Sequence, residues 1–297
     1  MRGNMFRGRM KFALLGGVCS ALATVAAPAA PAGPVQVDVK LVIATDLSHS
    51  IDAEEAQIQR QGVADAFLDP EVVRTIEKGS LGVIAVAMLD WSGYRDDRVA
   101  LDWTFVHDKA SAAALAERIR KLPAIQGQRT SISSALEHAI AMLNDSDNQI
   151  VATRKVIDVS GDGPNNDGIS LQHVHDTTES NGIVVNGLPI MDENSDGYFA
   201  DLDVYYGACV VAGKGAFLLP VKRYKDFGTA MRRKLVLEIA QNQSPIKAAS
   251  AALQPNLLLL RIATGEKKPA IPSQRGAAAK TYPGGCDKYG GWGGDGP

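Results

Sequence analysis

Apolar and polar positions fall into two alternating rhythms along this chain. "VDVKLVIATD" (37–46) is apolar almost without a break, as a strand covered on both faces requires. Asp52 follows, with Glu55 three residues on, the pair that forms a capping box, and Ile58, Val63, Ala66 and Phe67 then give a helix one apolar face. "LGVIAVAMLDW" (81–91) predicts a second buried strand. In "VALDWTFV" (99–106), Val99, Leu101, Trp103 and Phe105 alternate with Ala100, Asp102 and Thr104, which predicts an antiparallel edge strand with one covered face. Leu115, Ile119 and Leu122 mark a helical stripe, and Ile132, Ala135, Leu136, Ala139, Ile140 and Leu143 mark a stronger one. "RKVIDVSGD" predicts a strand, "LQHVHDTTES" a short helix, "GIVVNGLPI" a strand and "GAFLLPV" a last strand. "YKDFGTAMRRKLVLEIA" closes the pattern as a helix, with Phe227, Met231, Leu235 and Ile239 four apart. Strands alternating with helices predict an α/β fold: a doubly wound, mostly parallel sheet with one antiparallel edge strand and helices on both faces.

Both ends depart from this rhythm. "MRGNMFRGRMK" is basic, "FALLGGVCSALATVAA" is apolar, and "APAAPAG" offers small-residue cleavage sites after Ala29 or Ala32, so residues 1–32 read as a signal peptide. The apolar run is short of the ~20 residues of a membrane span, and Val18 before Cys19 does not suit a lipoprotein signal. The expected domain therefore covers 35–241 of an exported protein, periplasmic or secreted. Residues 242–297 form an extension that starts with packable segments and ends in a Gly- and Pro-rich tail. Cys19 leaves with the signal, and Cys209 and Cys286 remain as an expected disulfide in an oxidising compartment.

Charge narrows the partners. The formal net charge is −2, and losing Arg2, Arg7, Arg9 and Lys11 with the leader takes four positive charges away, to −6. Neither value, nor any interleaving of basic and aromatic residues, points to nucleic acid. "GACVVAGKGA" contains Gly213-Lys214, but the spacing is wrong for a phosphate-binding loop and Gly215 stands where Ser or Thr is needed.

The chemistry lies at the ends of the strands. Asp46, Ser48 and Ser50 recur at every second position in "ATDLSHSID", directly after the first strand, and an extended loop would put all three on one side. Asp162 ends the "KVIDVSGD" strand, and in a doubly wound sheet ligands sit beyond the carboxyl ends of strands. Carboxylates and hydroxyls without His or Cys make a site for a hard cation: Mg²⁺, or else Mn²⁺ or Ca²⁺. Taken singly, Asp46 and Ser50 also read as helix caps and Asp162-Gly163-Pro164 as a turn.

Three stretches together resemble the von Willebrand factor A-type domain. "DLSHS" matches its D-x-S-x-S motif, "GQRTSISSAL" is similar to its second loop with Thr130 ahead of a helix, and "SGDGPNND" is similar to its third loop with Asp162 as the acid. The resemblance covers roughly Val35 to Ala240 and, more narrowly, extends to exported bacterial A-type proteins of unknown function. It implies a Rossmann-like fold with a metal-ion-dependent adhesion site (MIDAS). Ser48, Ser50 and Thr130 would ligate through hydroxyls, and Asp46 and Asp162 would ligate directly or through water. A protein partner would donate a carboxylate to the remaining metal position. One cation accounts for all five residues, where caps and a turn need separate explanations. His49 reads as a solvent-facing loop residue. Asp158, mid-strand on the face of Ser160 and Asp162, either orients a ligand from behind or bonds a neighbouring loop.

"DENSDGYFADLD" matches the front of a calcium loop, with Asp192, Asn194, Asp196, the Tyr198 carbonyl and Asp203 as candidate ligands for an additional Ca²⁺. It follows a strand rather than a helix, so an acidic surface loop is the plainer reading, with Asp201 capping the segment after it. The functional expectation is a cation-dependent protein-binding module without catalysis. A metal-dependent hydrolase such as a phosphoesterase, or a scaffold with a purely structural metal, are the alternatives.

Overall fold

A computed structural model describes residues 33–194, 199–240 and 285–287. The expected leader, most of the C-terminal extension, and Asp196 and Tyr198 lie outside the described residues. Five strands form one sheet: β1 Val35–Asp46, β2 Ile84–Trp91, β3 Asp97–Val106, β4 Ile150–Gly161 and β5 Ile183–Pro189. Their order is β3-β2-β1-β4-β5. β1 runs parallel to both β2 and β4, β4 runs parallel to β5, and β3 lies antiparallel to β2 at the edge. The chain winds outward from β1 to one edge, then restarts at β4 and winds to the other. The strand order therefore reverses between β1 and β4, which opens a crevice at their carboxyl ends.

Strand alternation divides β1 between two cores. Leu41 and Ile43 pack with helices α1 (Ala53–Leu68), α2 (Pro70–Glu77), α3 (Lys109–Arg120) and α7 (Phe227–Ala240). Val42 and Ala44 pack with α4 (Ile132–Asn144), α5 (Leu171–Ser180), the one-turn α6 (Leu202–Tyr205) and the π-helical turn Tyr206–Val210 that continues it. Every residue of β2 is buried, as its unbroken apolar run requires. The Asp52–Glu55 capping box forms, with Glu55 N–H donating to Asp52 Oδ1 at 2.8 Å and Asp52 N–H to Glu55 Oε2 at 3.0 Å. α1 and α7 cross closely at a glycine pair: a Cβ on Gly62 would sit 3.0 Å from the Gly228 Cα.

Three elements differ from the sequence reading. "GAFLLPV" is not a strand: it pairs with β5 and the residue after it through isolated parallel bridges, Gly187 to Leu218 and Ile190 to Val221, and not through a continuous ladder. Leu219 N–H and Val221 N–H donate to Gly187 O and Pro189 O, but Pro189 has no N–H with which to return a bond to this segment, and Gly213 and Gly215 turn the chain at φ of 90° and 83°. Leu122 lies past the end of α3, because the residue before Pro123 is driven toward extended backbone, though it still packs against the core. α2 was not anticipated, although Asp69 accepts from Glu71 N–H at 2.7 Å and Pro70 opens the helix, both ordinary start signals.

Cys209 and Cys286 are joined by a disulfide, with Cα atoms 5.5 Å apart. The segment 285–287 lies against α5: Asp287 accepts from Ser170 Oγ at 2.7 Å and from Leu171 N–H at 3.1 Å, a carboxylate capping the start of a helix from far along the chain. No helix among the described residues is long and apolar enough to cross a membrane.

Candidate metal centre

Asp46 is the last residue of β1, and Asp162 is the first after β4, so neighbouring parallel strands deliver both acids to the crevice. Between Asp46 and α1 the chain does not extend but turns, with Ile51 N–H donating to Ser48 O at 3.0 Å. The turn still gathers the polar groups. Ser48 N–H donates to Asp46 Oδ1 at 2.7 Å, the Ser48 and Ser50 hydroxyls lie 3.2 Å apart, and Ser50 Oγ donates to Asp162 Oδ1 at 2.8 Å. Neither Asp46 nor Ser50 caps α1, since Asp52 does. Thr130 sits just ahead of Ser131, the N-cap of α4, with its Oγ1 3.8 Å from where a Cβ on Gly163 would lie. All five motif residues thus meet at one edge of the sheet. Asp46, Ser48, Thr130 and Asp162 are buried, and Ser50 is half-buried.

Side chains that the motif does not include hold the three loops together. Asn166 Oδ1 accepts from Thr130 N–H at 2.9 Å, while its own N–H donates to Thr130 O at 2.8 Å. Asn165 Oδ1 accepts from Ser133 N–H at 3.0 Å. Gln126 Nε2 reaches His49 O and Ile51 O, and Gly127 N–H donates to Leu47 O at 2.8 Å, which ties the second loop to the first. Tyr224 OH donates to Asp162 Oδ2 at 3.3 Å. The sequence reading missed Asn165, Asn166 and Tyr224. The adjacent asparagines after Gly163-Pro164 were the available signal, and nothing local marked Tyr224. The side chain of His49 is exposed.

The electrostatics of the crevice are those of a site short of positive charge. Burial pushes the Asp46 carboxyl well above its usual range, and the nearby Asp162 charge pushes it further, against the hydrogen bond from Ser48 and the nearby Asp162 N–H dipole. Burial, and then Asp162, likewise raise the Tyr224 hydroxyl. Asp46 Oδ2 is buried with no hydrogen-bond partner, which is costly for a carboxylate oxygen. A divalent cation beside it would relieve both the desolvation and the repulsion, and the two carboxylates and three hydroxyls are the donors a hard cation takes. No three His, Cys, Asp or Glu side chains among the described residues form a metal-binding group, and this set, with only two acids, does not need one.

Asp158 shares its face with Ser160 and Asp162 but turns to a helix and not to a neighbouring loop. It pairs with Lys234 of α7 at 2.6 Å, both fully buried, and Lys234 also bonds Glu238 at 2.7 Å. Asn186 Nδ2 donates to Glu238 Oε1 at 2.8 Å. Burial pushes the Asp158 carboxyl up to about 7, with Lys234 opposing and Glu238 adding to the rise. In the expected calcium loop, Asp192 is already engaged: Oδ1 accepts from Asn194 N–H at 3.1 Å and Oδ2 from Tyr224 N–H at 3.0 Å. Asp203 Oδ1 accepts from Val204 N–H, and Asp201 makes no side-chain cap.

The architecture matches solved structures of low sequence identity. Proximal thread matrix protein 1 from the mussel byssus, in a structure with a zinc-occupied MIDAS motif, aligns with a TM-score of 0.52 at 18% identity, over 70% of this chain and 49% of that one. A second structure of the same mussel protein gives 0.50 at 17% identity, over 70% and 48%. A von Willebrand factor type A protein from Catenulispora acidiphila gives 0.48 at 15%, over 69% and 43%. The chain spans about half the length of the mussel protein. No curated protein matches the sequence significantly. The five-stranded sheet and its flanking helices are those of a von Willebrand factor A-type domain. Within that fold, and on a match over residues 36–243, the chain belongs to the family described as "Protein of unknown function (DUF1194)".

Proposed function

We propose that this protein is an exported, divalent-cation-dependent protein-binding module. One observation carries the reading: Asp46 and Asp162 are buried side by side at the strand-order reversal, flanked by the Ser48, Ser50 and Thr130 hydroxyls, with Asp46 Oδ2 lacking any partner. Asp46, Ser48, Ser50, Thr130 and Asp162 would hold Mg²⁺, or Mn²⁺ or Ca²⁺, directly or through water. Bound there, the cation supplies an electrophilic position for a carboxylate from a partner protein. The chain's own part is to aim the oxygens: Ser48 N–H fixes Asp46, Ser50 and Tyr224 fix Asp162, and Asn166 fixes the Thr130 backbone. Using hydroxyls for three of five donors keeps the cation's charge only partly neutralised. The zinc-occupied MIDAS motif of the mussel protein supports cation use by this fold.

A hydrolytic reading gains nothing from the surroundings. Ser134, His138 and Asp97 do meet, but the Ser134 hydroxyl and the His138 ring both bond the Asp97 carboxylate, so the imidazole is not set between the acid and the serine as a serine–histidine pair requires. Calorimetric titration of the exported protein with Mg²⁺, Mn²⁺ and Ca²⁺, beside Asp46→Ala, tests the proposal. Saturable binding lost in the variant is expected, followed by EDTA-sensitive capture of a partner from an envelope extract. A wild-type protein that binds none of the three at millimolar concentration would refute it.

A further inference from the structure

Two buried oxygens face the same spot beneath the candidate metal centre, and neither has a partner. One is Asp46 Oδ2, and the other is the hydroxyl of Tyr206. A Cβ on Gly161, the last residue of β4, would lie 2.8 Å from each of them and 3.1 Å from the Trp91 ring. Two atoms that close to one point are at most a single water apart. Glycine is what allows both to crowd the strand end, since a side chain there would be driven into them. Tyr206 is fully buried, and a phenol in that position without an acceptor carries its own desolvation cost, smaller than that of a carboxylate oxygen without a donor.

The backbone beneath Tyr206 is braced. It opens the π-helical turn Tyr206–Val210, a geometry that recurs at functional sites, and Cys209 in the same turn is anchored by the disulfide to Cys286. The preceding Tyr205 hydroxyl donates to Cys286 O at 3.1 Å and accepts from Asn165 N–H, in the loop that carries Asp162, at 3.2 Å. Successive tyrosines thus reach the third metal loop and the first metal-loop acid.

We infer that the Tyr206 hydroxyl is the hydrogen-bond donor to Asp46 Oδ2, directly or through one water, and that it positions this carboxylate for the cation. Tyr206 is a positioning residue, outside the D-x-S-x-S pattern, and the inference rests on the cation reading above. It leaves Asp46 with one oxygen fixed by Ser48 N–H and the other by Tyr206, so that the carboxylate plane is set before the cation arrives.

The test is Mn²⁺ affinity by electron paramagnetic resonance on wild-type and Tyr206→Phe protein, with thermal melting of both in EDTA. The expected result is a loss of affinity of about 10–100-fold, the size found for groups that orient metal ligands, in a variant that still melts cooperatively. Wild-type binding together with a Tyr206→Phe affinity within twofold overturns this inference alone. Failure of the wild-type protein to bind Mn²⁺, Mg²⁺ or Ca²⁺ overturns it together with the cation reading, and if only Mg²⁺ or Ca²⁺ binds, the same comparison is made with that ion by calorimetry. If the variant does not fold, the assigned Tyr206 Cζ resonance of the wild-type protein decides. It shifts on saturation with Mg²⁺ if the hydroxyl serves Asp46, and stays in place if it does not.

Discussion

Asp158 shares one ammonium, that of Lys234, with a second buried acid, Glu238, and substitution by Asn tests how that charge is carried. With both acids ionised the trio carries an excess negative charge in a place water does not reach, so the folded protein keeps a proton there. The Asp158 carboxyl accordingly rises from 3.8 to about 7, through burial first. The unfolded chain releases this proton near pH 4, and the folded chain holds it to about pH 7. Between those values the folded state binds more protons, so stability falls as pH rises. The linked stability is fully present below about pH 4 and fully lost above about pH 7, and a rise of this size corresponds to roughly 4 kcal/mol. Between pH 5 and pH 8, roughly 3 kcal/mol of it should disappear. Asn is close in shape to the protonated acid and has no proton to lose. Wild type and Asp158→Asn should therefore be nearly equal in stability at pH 5, with the variant ahead by up to roughly 3 kcal/mol at pH 8. Urea unfolding followed by tryptophan fluorescence at both pH values measures the difference. Parallel stability profiles for the two proteins would refute the reasoning, because the pH-dependent term would then not reside in Asp158.

Asp46→Asn should raise the melting temperature of the metal-free protein at pH 7, since it removes a carboxylate held above its usual range by burial and by Asp162, and should abolish the further rise on adding Mg²⁺. Calorimetric or fluorimetric melting with and without Mg²⁺ checks both halves; an unchanged Mg²⁺ response would place the cation elsewhere. The Cys209→Ser/Cys286→Ser double variant opens a link between residues 77 apart and should lose up to ~4 kcal/mol in the chain-entropy model, read by denaturant unfolding under non-reducing conditions. Equal midpoints would mean that the link adds no stability. Calorimetry of Asp46→Ala with millimolar Ca²⁺ isolates the stretch from Asp192 to Asp203: weak, saturable heat is the expected sign of a second site, and its absence leaves an acidic surface loop.

What could be read from the sequence was what local pattern encodes. The uninterrupted run before Asp46, the antiparallel edge strand and the helix Leu171–Ser180 follow from periodicity, and the capping box from residues three apart. The expected single covered face of the edge strand does not hold, because a register shift against β2 leaves Val99 exposed and sends Leu101 and Trp103 into opposite cores. The oxygen donors were legible for the same reason, since Asp46, Ser48 and Ser50 lie within five residues. Their supports were not. Tyr224, Tyr206 and Asn166 reach the crevice from separate elements, and only the folded topology decides which hydroxyl or amide arrives there. Lys234 reads as one polar position on an amphipathic helix until β4 is laid beneath it with Asp158 facing it. "GAFLLPV" misled because apolar content says nothing of ladder continuity, which Pro189 of β5, lacking an N–H, interrupts.

The family match closes at residue 243, yet the partner of Cys209 stands at 286. A fragment cut at the apparent domain limit would therefore carry an orphan thiol on the same turn as Tyr206, and would also lack the Asp287 carboxylate at the head of α5. Made in an oxidising compartment, such a fragment is expected to run partly as a cross-linked dimer on a non-reducing gel and to collapse to monomer with reductant. The longer chain, ending after Asp287, should run as monomer in both lanes. For anyone expressing this protein, the useful boundary is set by a sulfur atom in the tail and not by the last helix of the sheet.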